Sequence, residues 1–236
     1  MDFKEFILSF KTHTAPIPVI EKIRNGLIAG IAILLLGLVL KYLPQPNYPF
    51  VMLGSIAASA VLLFAAPHSP MAQPWPLLGG HLISTLAGWL CSQHITDPLL
   101  AAGCAVGLAI FLMHYLNCLH PPGASTALTL VLFSAQFNPM GWPWVACIVL
   151  VNIGISLVLA LLINNLLPGR SYPVRHTPQP ILQTNTQPKH VQLERADIEW
   201  ALTQMDGVID VSEEDLVDIY ELAIKNARNR GGKVNS

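Results

Sequence analysis

Charge is what this sequence lacks. Across residues 26–169 there is no arginine and no glutamate, and only Lys41 and Asp97 carry charge. A soluble domain of that length has Lys, Arg, Asp and Glu over most of its exterior, so a soluble fold is excluded for this stretch. Paired cysteines are lacking as well. Cys91, Cys104, Cys118 and Cys147 all lie in or beside apolar runs with no C-x-x-C spacing. They read as small apolar fillers rather than a redox or metal site. No i, i+4 histidine pair or Cys/His ligand spacing is present, so neither metal nor cofactor is expected. The first ten residues hold Asp2, Lys4 and Glu5 ahead of any apolar run, which does not fit a signal peptide. Net charge is −1, with the charges segregated to the two ends, and no nucleic-acid partner is expected.

What is present is apolar: 53% of the 236 residues are hydrophobic. The expected fold class is all-α, a polytopic helical membrane bundle with lipid as its solvent. Prolines divide the apolar region into six segments, near 25–43, 50–66, 75–93, 98–117, 121–137 and 142–166. The second and fifth are short: 16 or so residues cover about 24 Å, less than the roughly 30 Å of a bilayer core. Lys11, Lys22 and Arg24 precede the first segment, and Arg170 and Arg175 follow the last. The positive-inside rule therefore places both termini in the cytoplasm, with an even number of crossings of the cell's inner (plasma) membrane.

Outside the bundle, residues 1–24 read as a cytoplasmic leader in which Phe3, Phe6, Ile7 and Phe10 can form an interfacial helix. The transmembrane domain is placed at 25–168 and a proline-rich linker at 169–190. A cytoplasmic two-helix tail follows at 191–236; Ser212 and Asp215 open its second helix.

Shifting the chain by 69 residues aligns two halves, about 25–93 and 98–166. Gly54 falls on Gly123, Leu63-Phe64 on Leu132-Phe133, Pro70-Met71 on Pro139-Met140, and Pro74-Trp75 on Pro143-Trp144. Three crossings per half would invert one half relative to the other. Inverted repeats with short, proline-interrupted segments at matching positions are how many transporters build a midplane site.

The fifth segment opens on His120-Pro121-Pro122-Gly123-Ala124-Ser125-Thr126. Proline is disfavoured within a helix but suits its first turn. A helix starting here, inside the membrane region, would aim free N–H groups at a protected space, with Ser125 and Thr126 in its first turn. Gly54, Ser55 and Ser59 occupy the matching start in the second segment. These residues, with Pro121, Pro122, Gly123 and His120, form the candidate substrate site. Each has a bland alternative: helix packing for the glycines, bonding back to a carbonyl for the hydroxyls, a buried structural bond for His120. His68, Gln73, His81, His114 and Asn117 are candidate pathway or gating residues, and Asn152 is a further intramembrane polar group.

The His-Pro-Pro-Gly-Ala-Ser-Thr stretch resembles the signature of the HPP family of integral membrane proteins. Residues Pro49 to Ala60, the Ser69 to Pro74 loop and Gly80-His81 resemble it too, in the same order. The likeness covers about residues 20–170. It implies a membrane protein, and because some relatives are described as nitrite transporters, it points to nitrite. The residues themselves fit a small monovalent anion better than phosphate, which normally recruits Arg or Lys. The expected function is a transporter or channel for a small inorganic anion held at helix N-termini; the expected partners are that anion, membrane lipid and, as an option left open, a homo-oligomer. The alternative is a membrane-anchored sensor or scaffold acting through its tail. An enzyme is not expected, since His120 has no carboxylate, nucleophile or metal cluster to work with.

Overall fold

The protein is described by a computed structural model, in which residues 18–44 and 47–174 are placed. Most of the N-terminal leader, whether an interfacial helix or a solvated segment, most of the linker and the two-helix tail lie outside the described residues. Those described form an all-helical bundle of seven helices: α1 Val19–Tyr42, α2 Ser55–Ala65, α3 Pro74–His94, α4 Pro98–Tyr115, α5 Pro121–Leu132, the four-residue α6 Ser134–Phe137, and α7 Trp142–Leu166. Two 3-10 turns, Pro70–Ala72 and Asn138–Met140, precede α3 and α7. They hold the two Pro-Met pairs aligned by the 69-residue shift.

The helix starts follow the prolines. Pro74, Pro98 and Pro121 each open a helix, and Pro143 is the second residue of α7. The lost N–H is one that a first turn does not use. Asp97 adds a cap by accepting from Leu100 N at 2.7 Å. The expected fifth segment, 121–137, is interrupted: α5 stops at Leu132 and Phe133 leaves helical geometry before α6. The second segment is helical only from Ser55, with residues 49–53 non-helical.

Three helices are long and apolar enough to cross a membrane: α1, α4 and α7. α3 has 21 residues, about 31 Å, and its composition is more polar. α2 and α5, with 11 and 12 residues, reach only about 16–18 Å. α1 presents Leu27, Ile31, Leu34 and Leu38 outward. Such apolar exteriors suit a lipid surround.

Side-chain contacts give the helices their directions. Arg170, just past α7, donates to the Phe64 carbonyl at 2.9 Å and to the Asn25 side chain, so the start of α1 and the ends of α2 and α7 lie together. Gln73 at the start of α3 accepts from Val174 N at 3.0 Å, and Trp75 donates to the Leu116 carbonyl beyond α4 at 3.2 Å. The starts of α1 and α3 and the ends of α2, α4 and α7 therefore share one end of the bundle. At the other, Ser92 pairs with Asn138 at 3.1 Å, and Tyr48 donates to the Pro139 carbonyl at 3.2 Å.

α3 is the central helix, packed against α4, α5 and α7. Its seam with α5 depends on small residues. A Cβ on Gly88 would lie 2.6 Å from the Ala127 carbonyl oxygen, and one on Gly123 would lie 2.6 Å from the Gly80 carbonyl oxygen. Glycines here let two backbones approach, as small residues do between membrane helices.

Candidate functional site

Where α2, α3 and α5 meet, five polar side chains converge inside the apolar bundle. Ser55 and Ser59 stand one turn apart on α2, His81 is on α3, His120 precedes α5, and Thr126 is in its second turn. All are buried, four of them completely. Ser59 Oγ is 2.9 Å from His81 Nε2 and 2.9 Å from His120 Nε2. His81 Nδ1 lies 2.8 Å from Thr126 Oγ1, which is 2.8 Å from Ser55 Oγ. His120 Nδ1 is 2.8 Å from the Met71 carbonyl oxygen. The two imidazoles are 5.0 Å apart, centre to centre. Buried polar groups cost about 1–3 kcal/mol each when unpaired, so so many in one place need the partners they have found.

The supports around the cluster are equally specific. His120 has extended backbone geometry (φ −138°, ψ 98°), as Pro121 requires of the residue before it. The Gly123 N–H is donated to the His120 carbonyl at 2.8 Å. Thr85 donates to the His81 carbonyl at 2.6 Å, fixing that turn of α3. Tyr172 is buried and its hydroxyl donates to the Ala72 carbonyl at 2.8 Å, holding the turn that carries Met71. Burial pushes the Tyr172 phenol up from its ordinary value.

The start of α2 is held by Asn152. Its Oδ1 accepts from Leu53 N at 3.2 Å and its Nδ2 donates to the Val51 carbonyl at 2.9 Å. Asn152 sits ten residues into α7, about 15 Å along its axis, so α2 begins near mid-depth. Sequence reasoning noted Asn152 only as polar; that it is an amide in the middle of a long apolar run was the signal available.

Other candidates fall elsewhere. Ser125 is exposed, turned away from the cluster that holds Thr126. Gly54 is exposed, and nothing lies within 4 Å of where its Cβ would be. Pro121 is exposed, Pro122 is buried, and Gly123 faces the α3 backbone rather than a cavity. Pro121 and Pro122 have no N–H, and Gly123 spends its own on His120, so the start of α5 holds few donors for an anion. His68 is half-buried, and His114 and Asn117 are exposed. Gln73 bonds the Pro67 and Ser69 carbonyls at 3.0 Å each, which makes it a latch for its loop. Among the described residues no three His, Cys, Asp or Glu side chains come together.

Residues 14–173 match a family described as HPP, transmembrane region. A transmembrane protein of Dictyostelium discoideum is 35% identical over 177 residues, 73% of this chain and 62% of that protein. A second from the same organism is 40% identical over 127 residues, 52% of this chain and 40% of that protein. The chain thus matches less than two thirds of either relative's length. No solved structure matches.

Proposed function

This chain belongs to the HPP transmembrane family, and from its buried site we infer that it carries a small monovalent anion across a membrane. The observation that carries this reading is the five-residue cluster at the start of two half-length helices, one from each half of the sequence. Polar side chains inside a membrane bundle cost free energy and mark solute paths more often than not. The site has hydroxyls and imidazoles but no fixed charge, so it suits a weakly hydrated monovalent ion better than phosphate. Nitrite is the member of that class to which the family resemblance points.

We place the anion contacts on Ser59, His81, His120 and Thr126 rather than on the bare start of α5. The arrangement seen is closed, since the cluster bonds to itself and is buried. α3 and α5 are locked by their glycine seam, whereas α2 meets α5 over a shorter contact. Movement of α2 is therefore the step that opens the site, and an entering anion takes hydrogen bonds that the cluster now makes internally.

Six passes in two inverted halves fit the shared helix ends described above: α1, α3 and α5 run one way and α2, α4 and α7 the other. The start of α1 and the end of α7 lying together supports an even number of passes, with Lys22, Arg24 and Arg170 on the cytoplasmic side of a plasma membrane. The tail lies outside the described residues, and its role as a sensor or scaffold is the competing reading.

Flux assays on purified full-length protein in liposomes test this. Nitrite, nitrate, formate and chloride are compared with phosphate. Flux of one or more monovalent ions above protein-free liposomes, without phosphate flux, is expected. No flux for any of them overturns the reading; flux retained by a chain ending at Val174 removes the tail from the mechanism.

A further inference from the structure

The polar cluster is a single run of hydrogen bonds, and counting hydrogens gives it a direction. The Met71 carbonyl can only accept, so His120 Nδ1 carries a hydrogen. With a neutral ring, His120 Nε2 is then bare and accepts from Ser59. Ser59 has one hydrogen, now committed, so it accepts from His81 Nε2. That leaves His81 Nδ1 bare, accepting from Thr126, which in turn accepts from Ser55; either of two paired hydroxyls can donate. Every donor points from Ser55 toward His120. The remaining branch, Ser59 to the Ser55 carbonyl, is the longest at 3.3 Å.

A hydronium ion reaching Ser55 when α2 moves can hand its proton to this run, leaving water behind, and the proton then travels without any further heavy atom moving far. Ser55 passes its hydrogen to Thr126, Thr126 to His81 Nδ1, His81 Nε2 to Ser59, and Ser59 to His120 Nε2. Four hydrogens each cross one bond, one is gained at Ser55, and one positive charge appears on His120. The four bonds between these side chains then point the other way, with His120 Nδ1 still donating to Met71: His120 donates to Ser59, Ser59 to His81 Nε2, His81 Nδ1 to Thr126, and Thr126 to Ser55. His81 has changed tautomer and remains neutral.

We propose that Ser55, Thr126, His81, Ser59 and His120 form a proton relay that stores one proton on His120 and reverses its own polarity in doing so. It spans the one turn between Ser55 and Ser59, about 6 Å along the bundle, and is shut off from water. No Asp, Glu, Lys or Arg occurs on α2, the Pro70–Ala72 turn, α3 or α5. The other titratable groups on the surrounding elements are few. Cys118 lies beside Gly79, and the Tyr172 hydroxyl is on the Ala72 carbonyl. Cys91 is buried ten residues beyond His81 on α3, and Cys147 is half-buried on α7. His94 on α3 and Cys104, His114 and Tyr115 on α4 are exposed. In the transport reading given above, on which this last step rests, the stored proton is the coupling charge that accompanies the anion.

Nitrogen NMR of histidine-labelled, full-length protein in lipid nanodiscs tests the relay without any transport assay. His81→Gln and His120→Gln identify the two rings. Near neutral pH, His120 should carry its hydrogen on Nδ1 and His81 on Nε2. On acidification His120 should gain a second hydrogen while His81 moves its own to Nδ1 in the same step. Ser59→Ala should uncouple the two rings and abolish the His81 exchange; Thr126→Val should do the same, with Thr126→Ser restoring it. A His81 ring that keeps its tautomer while His120 protonates overturns the relay, as does an exchange that survives Ser59→Ala. Proton uptake driven by an anion gradient in wild-type liposomes, lost in Ser59→Ala, supports coupling. Anion flux without proton uptake overturns coupling and leaves the relay standing, and absent anion flux with an intact tautomer exchange overturns the transport reading alone.

Discussion

Replacing Gly88 by alanine tests the seam on which the site is built. The added Cβ would sit 2.6 Å from the Ala127 carbonyl oxygen, 2.8 Å from its Cα and 3.1 Å from its carbonyl carbon. Comfortable contact begins near 3.5 Å, and all three obstacles are backbone, so no side chain can swing aside. α3 and α5 must part by about 1 Å. Overpacking of this kind costs about 1–3 kcal/mol, and an obstruction by backbone places it near the upper end. At about 2–4 °C per kcal/mol for a chain of this size, the melting temperature should fall by about 6–12 °C. The cysteines report it: Cys91 and Cys118 are buried and Cys104 is exposed, so a thiol-reactive dye in detergent sees unfolding over a constant background. Gly107→Ala on α4 is the control, since nothing lies within 4 Å of its would-be Cβ. There alanine should be neutral or stabilising by up to about 1 kcal/mol through helix propensity. Equal shifts for the two variants would refute the close approach of α3 and α5.

Four further outcomes follow from the same contacts. Gly80→Ala would place a Cβ 2.5 Å from that of His120; anion flux should be lost even at temperatures where the variant is folded, as measured in liposomes at matched protein. Asn152→Leu leaves the Leu53 N–H and the Val51 carbonyl without their partner, a cost of about 2–6 kcal/mol at about 1–3 per group, read as a lower melting temperature in the same dye assay. A chain ending at Val174 should melt like the full-length protein, whereas one ending at Arg170 loses the buried Tyr172 side chain and its bond to Ala72, about 3–5 kcal/mol. The Tyr172 phenol is raised above its ordinary value, so the fold favours its neutral form. The stability that this contributes is complete below about pH 10 and is lost as pH rises past it; wild type should lose stability relative to Tyr172→Phe over that range.

How much of this could be read from the sequence depends on what each feature requires. Helix starts at Pro74, Pro98 and Pro121 are local, because a proline constrains its own residue and the one before it. Five of the candidate residues, Ser55, Ser59, His81, His120 and Thr126, do converge, because an apolar bundle gives a buried polar group few places to go. Which of two neighbours points inward was not local. Ser125 and Thr126 stand about 100° apart around α5, and only the position of α2 and α3 selects Thr126. Gly54 and Gly123 match in the 69-residue shift, yet one is exposed and the other lies against a backbone, since the partners facing them differ. Gln73 and Tyr172 escaped as structural latches because their partners are carbonyls in turns, which leave no trace in side-chain patterning.

The repeat and the site also separate, and that separation bears on mechanism. The shift that pairs Pro70-Met71 with Pro139-Met140 sets Ser55 against Ala124 and Ser59 against Leu128. The shift carries over the glycine and the Pro-Met pair, then, but not the polar cluster: α2 supplies two hydroxyls to it, and α5 supplies Thr126 with His120 at its threshold. A symmetric pair of half-helices would offer a solute equal surroundings from both sides. Here one end of the hydrogen-bonded run is a hydroxyl near mid-depth and the other is an imidazole held against the Met71 turn, toward the end where Arg170 and Tyr172 dock. Charge added to the cluster therefore settles at the His120 end. An anion drawn to that charge would sit off-centre, nearer the Met71 turn than the start of α2, and His120→Gln should weaken anion binding more than Ser55→Ala does. Equal losses from the two substitutions, measured as apparent affinity in flux assays, would restore a symmetric site.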